Sequence, residues 1–269
     1  MRRRALLAAS SNGESGGLEI DTSKYLTIVA LEDGVTVKFN NISATGFLEY
    51  YSSRYKRWEY TLNVINVTIN TNEYLCFRGN LEPSTSGVGR FSVTGAFALE
   101  GNCMSLLFER DADTHLSLEG YDGCFYNLFN GCSDLISVSP KFLPATELAH
   151  ECYKYMFRNC SSLTTAPELP ATNLVYGCYD SMFRDCTSLT TAPELPATTL
   201  AVTCYYYMFK DCTKLNYIKM LAINISATNC LRNWVDGVAT HGTFVKSKNA
   251  TWIVIGEDGI PKNWTVITE

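Results

Sequence analysis

Residues 152–177 read CYKYMFRNCSSLTTAPELPATNLVYG. Residues 178–203 follow without a gap as CYDSMFRDCTSLTTAPELPATTLAVT, identical to the first at 18 of 26 positions. A third copy, CYYYMFKDCTKLNYIKMLAINISATN, begins at Cys204, and a 28-residue copy, CFYNLFNGCSDLISVSPKFLPATELAHE, begins at Cys124. Towards the ends the pattern decays. Residues 103–108 (CMSLLF) read as an entry copy, and residues 230–234 (CLRNW) keep the 26-residue step but place Val238 where the second cysteine would stand. A unit recurring at this period cannot bury its apolar side alone, so copies stack into a solenoid with atypical end units as caps.

Inside one copy, Cys152, Met156, Phe157 and Cys160 fall at i, i+4, i+5 and i+8, which predicts one buried face of a short helix. Leu163, Ala166 and Leu169 follow, and Pro167 and Pro170 restrict that segment to extended backbone, a short strand and turn. Most of the eleven cysteines belong to the repeat register. Two cysteines eight apart on a helix are separated by roughly 12 Å along its axis. Equivalent positions on neighbouring helices lie about 8 to 10 Å apart, beyond the roughly 7 Å that a disulfide spans. The C-x7-C spacing is not that of a zinc site. The thiols therefore read as small buried hydrophobes.

Phe-x-x-Cys-x-x-Leu recurs at 157–163, 183–189 and 209–215. On its 26-residue period it resembles the BspA-like leucine-rich-repeat surface proteins, and in particular the repeats of phage and prophage structural proteins and surface adhesins of gut anaerobes. The resemblance runs from about Cys103 to the C-terminus and implies adhesion or recognition without catalysis; it carries over no binding residues. The expected fold class is mixed β and α/β, an N-terminal immunoglobulin-like β-sandwich followed by a short leucine-rich-repeat solenoid. The expected organisation is a flexible or anchoring tail over 1–17, the sandwich over 18–100, the solenoid over 101–245 and a C-terminal cap over 246–269.

The sandwich is read from short alternating runs separated by turns. Residues 25–31, the turn Glu32-Asp33-Gly34 and residues 35–39 carry a hairpin signal. Further runs lie at 47–51, 58–65, 74–77 and 90–99, at spacings that suit a sandwich. The segment 50–60 (YYSSRYKRWEY) mixes aromatics with basic residues, a composition that stacks on sugars or bases; the plainer reading buries Trp58 in the core and exposes Tyr51 and Tyr55.

Composition excludes several classes. With 46% hydrophobic and 18% charged residues the chain has the balance of a soluble globular protein, and its net charge of −5 argues against nucleic acid as a partner. No apolar run approaches the roughly 18 residues of a membrane span, so no membrane insertion is expected. Residues 1–10 (MRRRALLAAS) imitate a secretory signal, but the apolar stretch is too short and meets the linker-like SNGESGG at once. The tail is either unstructured or a docking anchor in which Arg2, Arg3 and Arg4 contact a larger assembly. His115, His150 and His241 are scattered, and no phosphate-loop or His-Glu-x-x-His motif is present. No enzyme activity, cofactor or metal is therefore expected. Residues 109–115 (ERDADTH) offer alternating carboxylates to a cation but lack the glycine and distal glutamate of a calcium loop, and read as a solvated loop. Six Asn-x-Ser/Thr sequons begin at Asn41, Asn66, Asn159, Asn224, Asn249 and Asn263 and matter only in a eukaryotic secretory pathway.

Candidate binding residues are outward positions that repeat in register. Lys154 and Tyr155, Asp180 and Ser181, and Tyr206 and Tyr207 change chemistry between otherwise near-identical copies, while Arg158, Arg184 and Lys210 form a basic stripe beside Asn159, Asp185 and Asp211. This is either a solvated, charge-balanced face or a recognition face with tyrosine anchors. The expected role is a virion appendage of phage or prophage type. Its partners would be other virion proteins or a second copy on one side and a host cell-surface glycan or protein on the other. The alternative is a bacterial cell-surface adhesin.

Overall fold

The computed structural model describes residues 20–40, 45–61, 64–84 and 86–269. The tail, with Arg2, Arg3 and Arg4, and the sequon at Asn41 lie outside them. Eight strands come first: β1 (Leu26–Ala30), β2 (Val35–Asn40), β3 (Leu48–Ser52), β4 (Arg57–Thr61), β5 (Val64–Ile69), β6 (Tyr74–Gly79), β7 (Arg90–Thr94) and β8 (Phe97–Glu100). The helix α1 (Ser105–Phe108) and four strands follow: β9 (Leu135–Val138), β10 (Tyr217–Met220), β11 (Thr243–Lys246) and β12 (Thr265–Thr268). They form a six-stranded sheet in the order β4-β3-β6-β1-β8-β9, a three-stranded sheet β5-β2-β7, and a parallel three-stranded sheet β10-β11-β12.

This overturns the expected fold class. The described chain is mostly β, with α1 its single α-helix, and none of the three sheets forms a solenoid. The N-terminal half corrects two further expectations. Residues 25–31 and 35–39 do not form a hairpin: β1 pairs with β6 and β8, and β2 with β5 and β7, so the Gly34 turn carries the chain from one sheet to the other. A turn sequence specifies reversal, whereas pairing follows burial. Strand β1 is buried on both faces and takes a central place, while β2 alternates Val35, Val37 and Phe39 inward with Thr36, Lys38 and Asn40 outward. The run 58–65 likewise divides between β4 and β5 in different sheets. The two sheets meet through aromatic rings: Phe77 of β6 packs on Phe91 of β7 at 5.0 Å, and Phe91 packs on its cross-strand partner Phe39 at 4.6 Å. Unlike an immunoglobulin sheet, the larger one ends in a parallel strand, because β9 from the first full repeat pairs with β8.

The full repeats contain no α-helix because the amides of their turn segments bond in two directions. Lys154, Met156, Arg158 and Cys160 donate three residues back, to Glu151, Tyr153, Tyr155 and Phe157, at 3.1–3.2 Å. The residues between them, Tyr153, Tyr155, Phe157 and Asn159, donate to Cys178, Asp180, Met182 and Arg184 of the next copy at 2.8–3.1 Å. Every fourth residue (Glu151, Tyr155, Asn159) is left-handed, and the same columns recur through Gly177, Ser181 and Asp185 and through Thr203, Tyr207 and Asp211. The result is a coil of linked turns with a four-residue period. Over eight residues that period departs from 3.6 by less than a quarter turn, so i, i+4 and i+8 share a face in either geometry.

The extended arm is set by proline. Where Pro167, Pro170, Pro193 and Pro196 interrupt it, copies meet only at isolated parallel bridges such as Ser137 to Thr165 and Thr191 to Tyr217. Proline cannot donate to a ladder. Residues 135–138 and 217–220 contain no proline, and there β9 and β10 form.

Stacking places like on like. One column runs Phe91, Phe129, Phe157, Phe183 and Phe209 with successive rings 5.0–6.0 Å apart, and a second runs Phe125, Tyr153, Tyr179 and Tyr205 at 5.7–6.1 Å. Both end on Trp234, 6.0 Å from Phe209 and 6.3 Å from Tyr205, whose indole Nε1 donates to Gly259 O at 2.8 Å. All eleven cysteines are free and buried. The second thiol of each copy does more than fill space. Cys160, Cys186 and Cys212 donate to Phe129, Phe157 and Phe183 O of the preceding copy at 3.3, 3.1 and 3.0 Å. A single buried core therefore extends from Leu26 to Trp264.

Candidate binding faces

The residues singled out in the repeats come together along one edge of the stack. Because each copy repeats the turn coil in register, Lys154, Asp180 and Tyr206 form one column, Tyr155, Ser181 and Tyr207 the next, and Arg158, Arg184 and Lys210 a third. Lys154 lies 2.6 Å from Glu151 Oε1 and 3.3 Å from Asp180 Oδ2. Burial opposes its charging, but the Glu151 hydrogen bond and the Asp180 charge prevail and raise its pKa. Asp180 and Ser181 do not point outward: both are buried, and Ser181 Oγ donates to Asp180 Oδ1 at 2.7 Å. Burial pushes the Asp180 carboxyl up, against the Ser181 hydrogen bond and the nearby Lys154 charge.

The aromatic members are held by cations. Arg158 lies 5.4 Å over the Tyr155 ring and Arg184 lies 5.5 Å over that of Tyr207. Tyr206 packs on Tyr207 edge to face at 4.1 Å, and Tyr126 packs on Tyr155 at 5.4 Å. Every base of the stripe has an acid nearby: Arg158 and Arg184 share Asp185 at 4.0 and 3.3 Å, and Lys210 pairs with Asp236 and with Asp211. The face is consequently neutral and rich in half-buried tyrosine. Reading the sequence missed Tyr126 and Asp236, although Asp236 is one 26-residue step beyond Lys210 and thus legible from the register.

Other candidates stay apart. His115 stacks on Phe108 at 3.9 Å, His150 lies beside Tyr176 and His241 beside Thr240. The carboxylates of 109–113 serve local ion pairs, Asp113 with Lys24 and Glu109 with Arg110. Among the described residues no group of three metal-ligating side chains exists, and no helix is long and apolar enough to cross a membrane. In the N-terminal half Tyr55 is exposed, but Tyr51 is buried. Trp58 is half-buried rather than in the core, lying between the Tyr25 ring at 5.2 Å and the Arg78 guanidinium at 3.9 Å. Comparison with protein-family models finds no match, and none is found among curated proteins or solved structures.

Proposed function

We propose that this protein is a non-enzymatic display and binding module whose stacked repeats present the tyrosine and arginine edge to a ligand. One observation carries the reading. Copies identical at 18 of 26 positions differ at the column of Lys154, Asp180 and Tyr206 and at that of Tyr155, Ser181 and Tyr207. Core positions are constrained by stacking, so variation at these two neighbouring columns suits a surface that meets something other than the protein itself. Tyrosine clamped by arginine gives large contact area at low entropic cost, the chemistry of recognition surfaces.

The biological setting proposed is a phage or prophage virion, with attachment to other virion proteins or a second copy and a host cell-surface glycan or protein as ligand; the alternative is a bacterial cell-surface adhesin. Nucleic acid, membrane insertion and a cofactor have no part in the proposal. Mass spectrometry of purified virions should find the chain, and its absence there with presence on intact cells selects the adhesin. For the face itself, Tyr155→Ser combined with Tyr207→Ser should reduce binding of the purified protein to host cells at least tenfold; unchanged binding removes this edge from the reading.

A further inference from the structure

The N-terminal half carries a second feature that the stacked repeats do not use. Strands β4 and β5 are each the outer strand of their sheet. Where the two sheets part along these edges they leave a cleft of about 270 Å³, lined on one side by Tyr50, Ser52, Arg54, Tyr55 and Glu59 and on the other by residues 66–69 of β5. Pairing opposes Tyr50 to Glu59 on the inner face of the β3–β4 hairpin, and the Tyr50 hydroxyl donates to Glu59 Oε2 at 2.6 Å. Tyr55, at the hairpin tip, is 58% exposed, with Arg57 5.8 Å over its ring.

Charge decides what this cleft can take. Arg54 is bound in a fork to Glu73 through two hydrogen bonds of 2.6 and 2.7 Å, and Arg57 lies 3.0 Å from Glu59 Oε1. Each ionised group at the cleft already has its opposite, so neither a cation nor an anion is selected. The remaining chemistry is a tyrosine ring, the inward side chain of Val67, and neutral or paired polar groups from Tyr50, Ser52 and Glu59, while Asn66 and Thr68, opposite Lys38 and Thr36, face outward at the rim. An aromatic face attracts the slightly positive C–H face of a ring system, while hydroxyl and carboxylate groups meet hydroxyls. The volume falls just below the roughly 300 Å³ at which pockets begin to enclose drug-sized ligands, which limits an occupant to about one ring.

We infer that this cleft is a binding site for a neutral sugar residue, stacked on Tyr55 and hydrogen-bonded by the Tyr50–Glu59 pair. It involves none of the residues of the repeat face and does not depend on that reading. An extended peptide added along the free edge of β5 is the competing occupant, but it would leave the polar, charge-balanced floor at Tyr50 and Glu59 unused.

The test is saturation-transfer NMR on the full chain with the methyl glycosides of glucose, galactose, mannose and N-acetylglucosamine. Transfer to the ring protons of at least one is expected, with dissociation constants of about millimolar order, as suits a ligand of this size. Tyr55→Ala and Tyr50→Phe should each weaken it at least tenfold. Tyr60→Ala, which removes an exposed ring from the opposite face of β4, should leave it unchanged. Absence of transfer from all four glycosides, transfer indifferent to Tyr55→Ala and Tyr50→Phe, or binding confined to sulfated or sialylated sugars would overturn the inference. A peptide whose binding protects the amides of β5 would assign the cleft to the competing occupant.

Discussion

Trp234→Ala tests how the stack is held at its C-terminal end. The side chain is fully buried, receives both aromatic columns and contacts Phe244 at 6.3 Å. Truncating a buried tryptophan costs about 3–5 kcal/mol, and stranding the carbonyl of Gly259 adds roughly 1–3 kcal/mol. The total, about 4–6 kcal/mol with overlap between the terms, is a large part of the roughly 5–15 kcal/mol that a domain possesses. Coupling between copies passes through amides donated from one to the next, so the loss should spread inward from the end. Tyr205, Tyr207 and Phe209 donate to Cys230, Arg232 and Trp234 O. In hydrogen exchange followed by mass spectrometry, peptides covering residues 204–235 should lose protection first, and those covering 152–160 last. Trp234→Phe, which keeps an aromatic ring but loses the Nε1 donor and part of the buried volume, should cost less, about 2–3 kcal/mol. Uniform loss of protection from Leu26 onward, or a Trp234→Ala cost below about 1.5 kcal/mol, would refute the reasoning.

Three further outcomes follow from the same structure. Burial raises the pKa of the thiols of Cys103, Cys124, Cys152, Cys160, Cys186 and Cys212 well above the ordinary value near 9. The folded state therefore holds protons that the unfolded chain releases, and stability, complete below about pH 9, should fall above it by up to about 1.4 kcal/mol per pH unit per thiol; urea midpoints that stay level from pH 8 to pH 10 would contradict this. Thr203 is a β-branched residue at φ 54°, in the column where Gly177 has φ 58°; Thr203→Gly should stabilise by about 0.5–1 kcal/mol in urea unfolding, since relief of left-handed strain exceeds the entropic cost of glycine. Arg78 and Glu49 form a buried pair at 2.7 Å with side chains 10% and 9% exposed, so Arg78→Ala should cost about 3–5 kcal/mol, whereas Arg54→Ala, which breaks the exposed pair with Glu73, should cost under about 1 kcal/mol by the same assay.

The repeat period, the copy boundaries and the identity of the buried residues were legible in the chain, because near-identical copies placed side by side fix which positions must match. The columns of Cys, Met and Phe in the core are those the spacing indicates. The candidate face was legible in part, since two of its three columns lie among the eight positions at which residues 152–177 and 178–203 differ. The burial of Asp180 and Ser181 was not, since it arises from longer neighbours in the adjacent copies closing over short side chains. The neutrality of the basic stripe needed the structure too, because Arg158 and Lys210 meet acids one copy away.

The sequence by itself determined that a 26-residue unit stacks and which of its residues go inside. Only the tertiary structure decided what backbone does the stacking. A four-residue coil of turns and a 3.6-residue helix bury the same side chains over nine residues, and the choice between them falls to amides that bond to the next copy instead of along their own. In the N-terminal half, alternation marked the strands, but strand partners depend on which faces are buried in three dimensions. That is why Gly34 carries the chain between sheets, and why β9 completes a sheet begun by residues more than a hundred positions earlier.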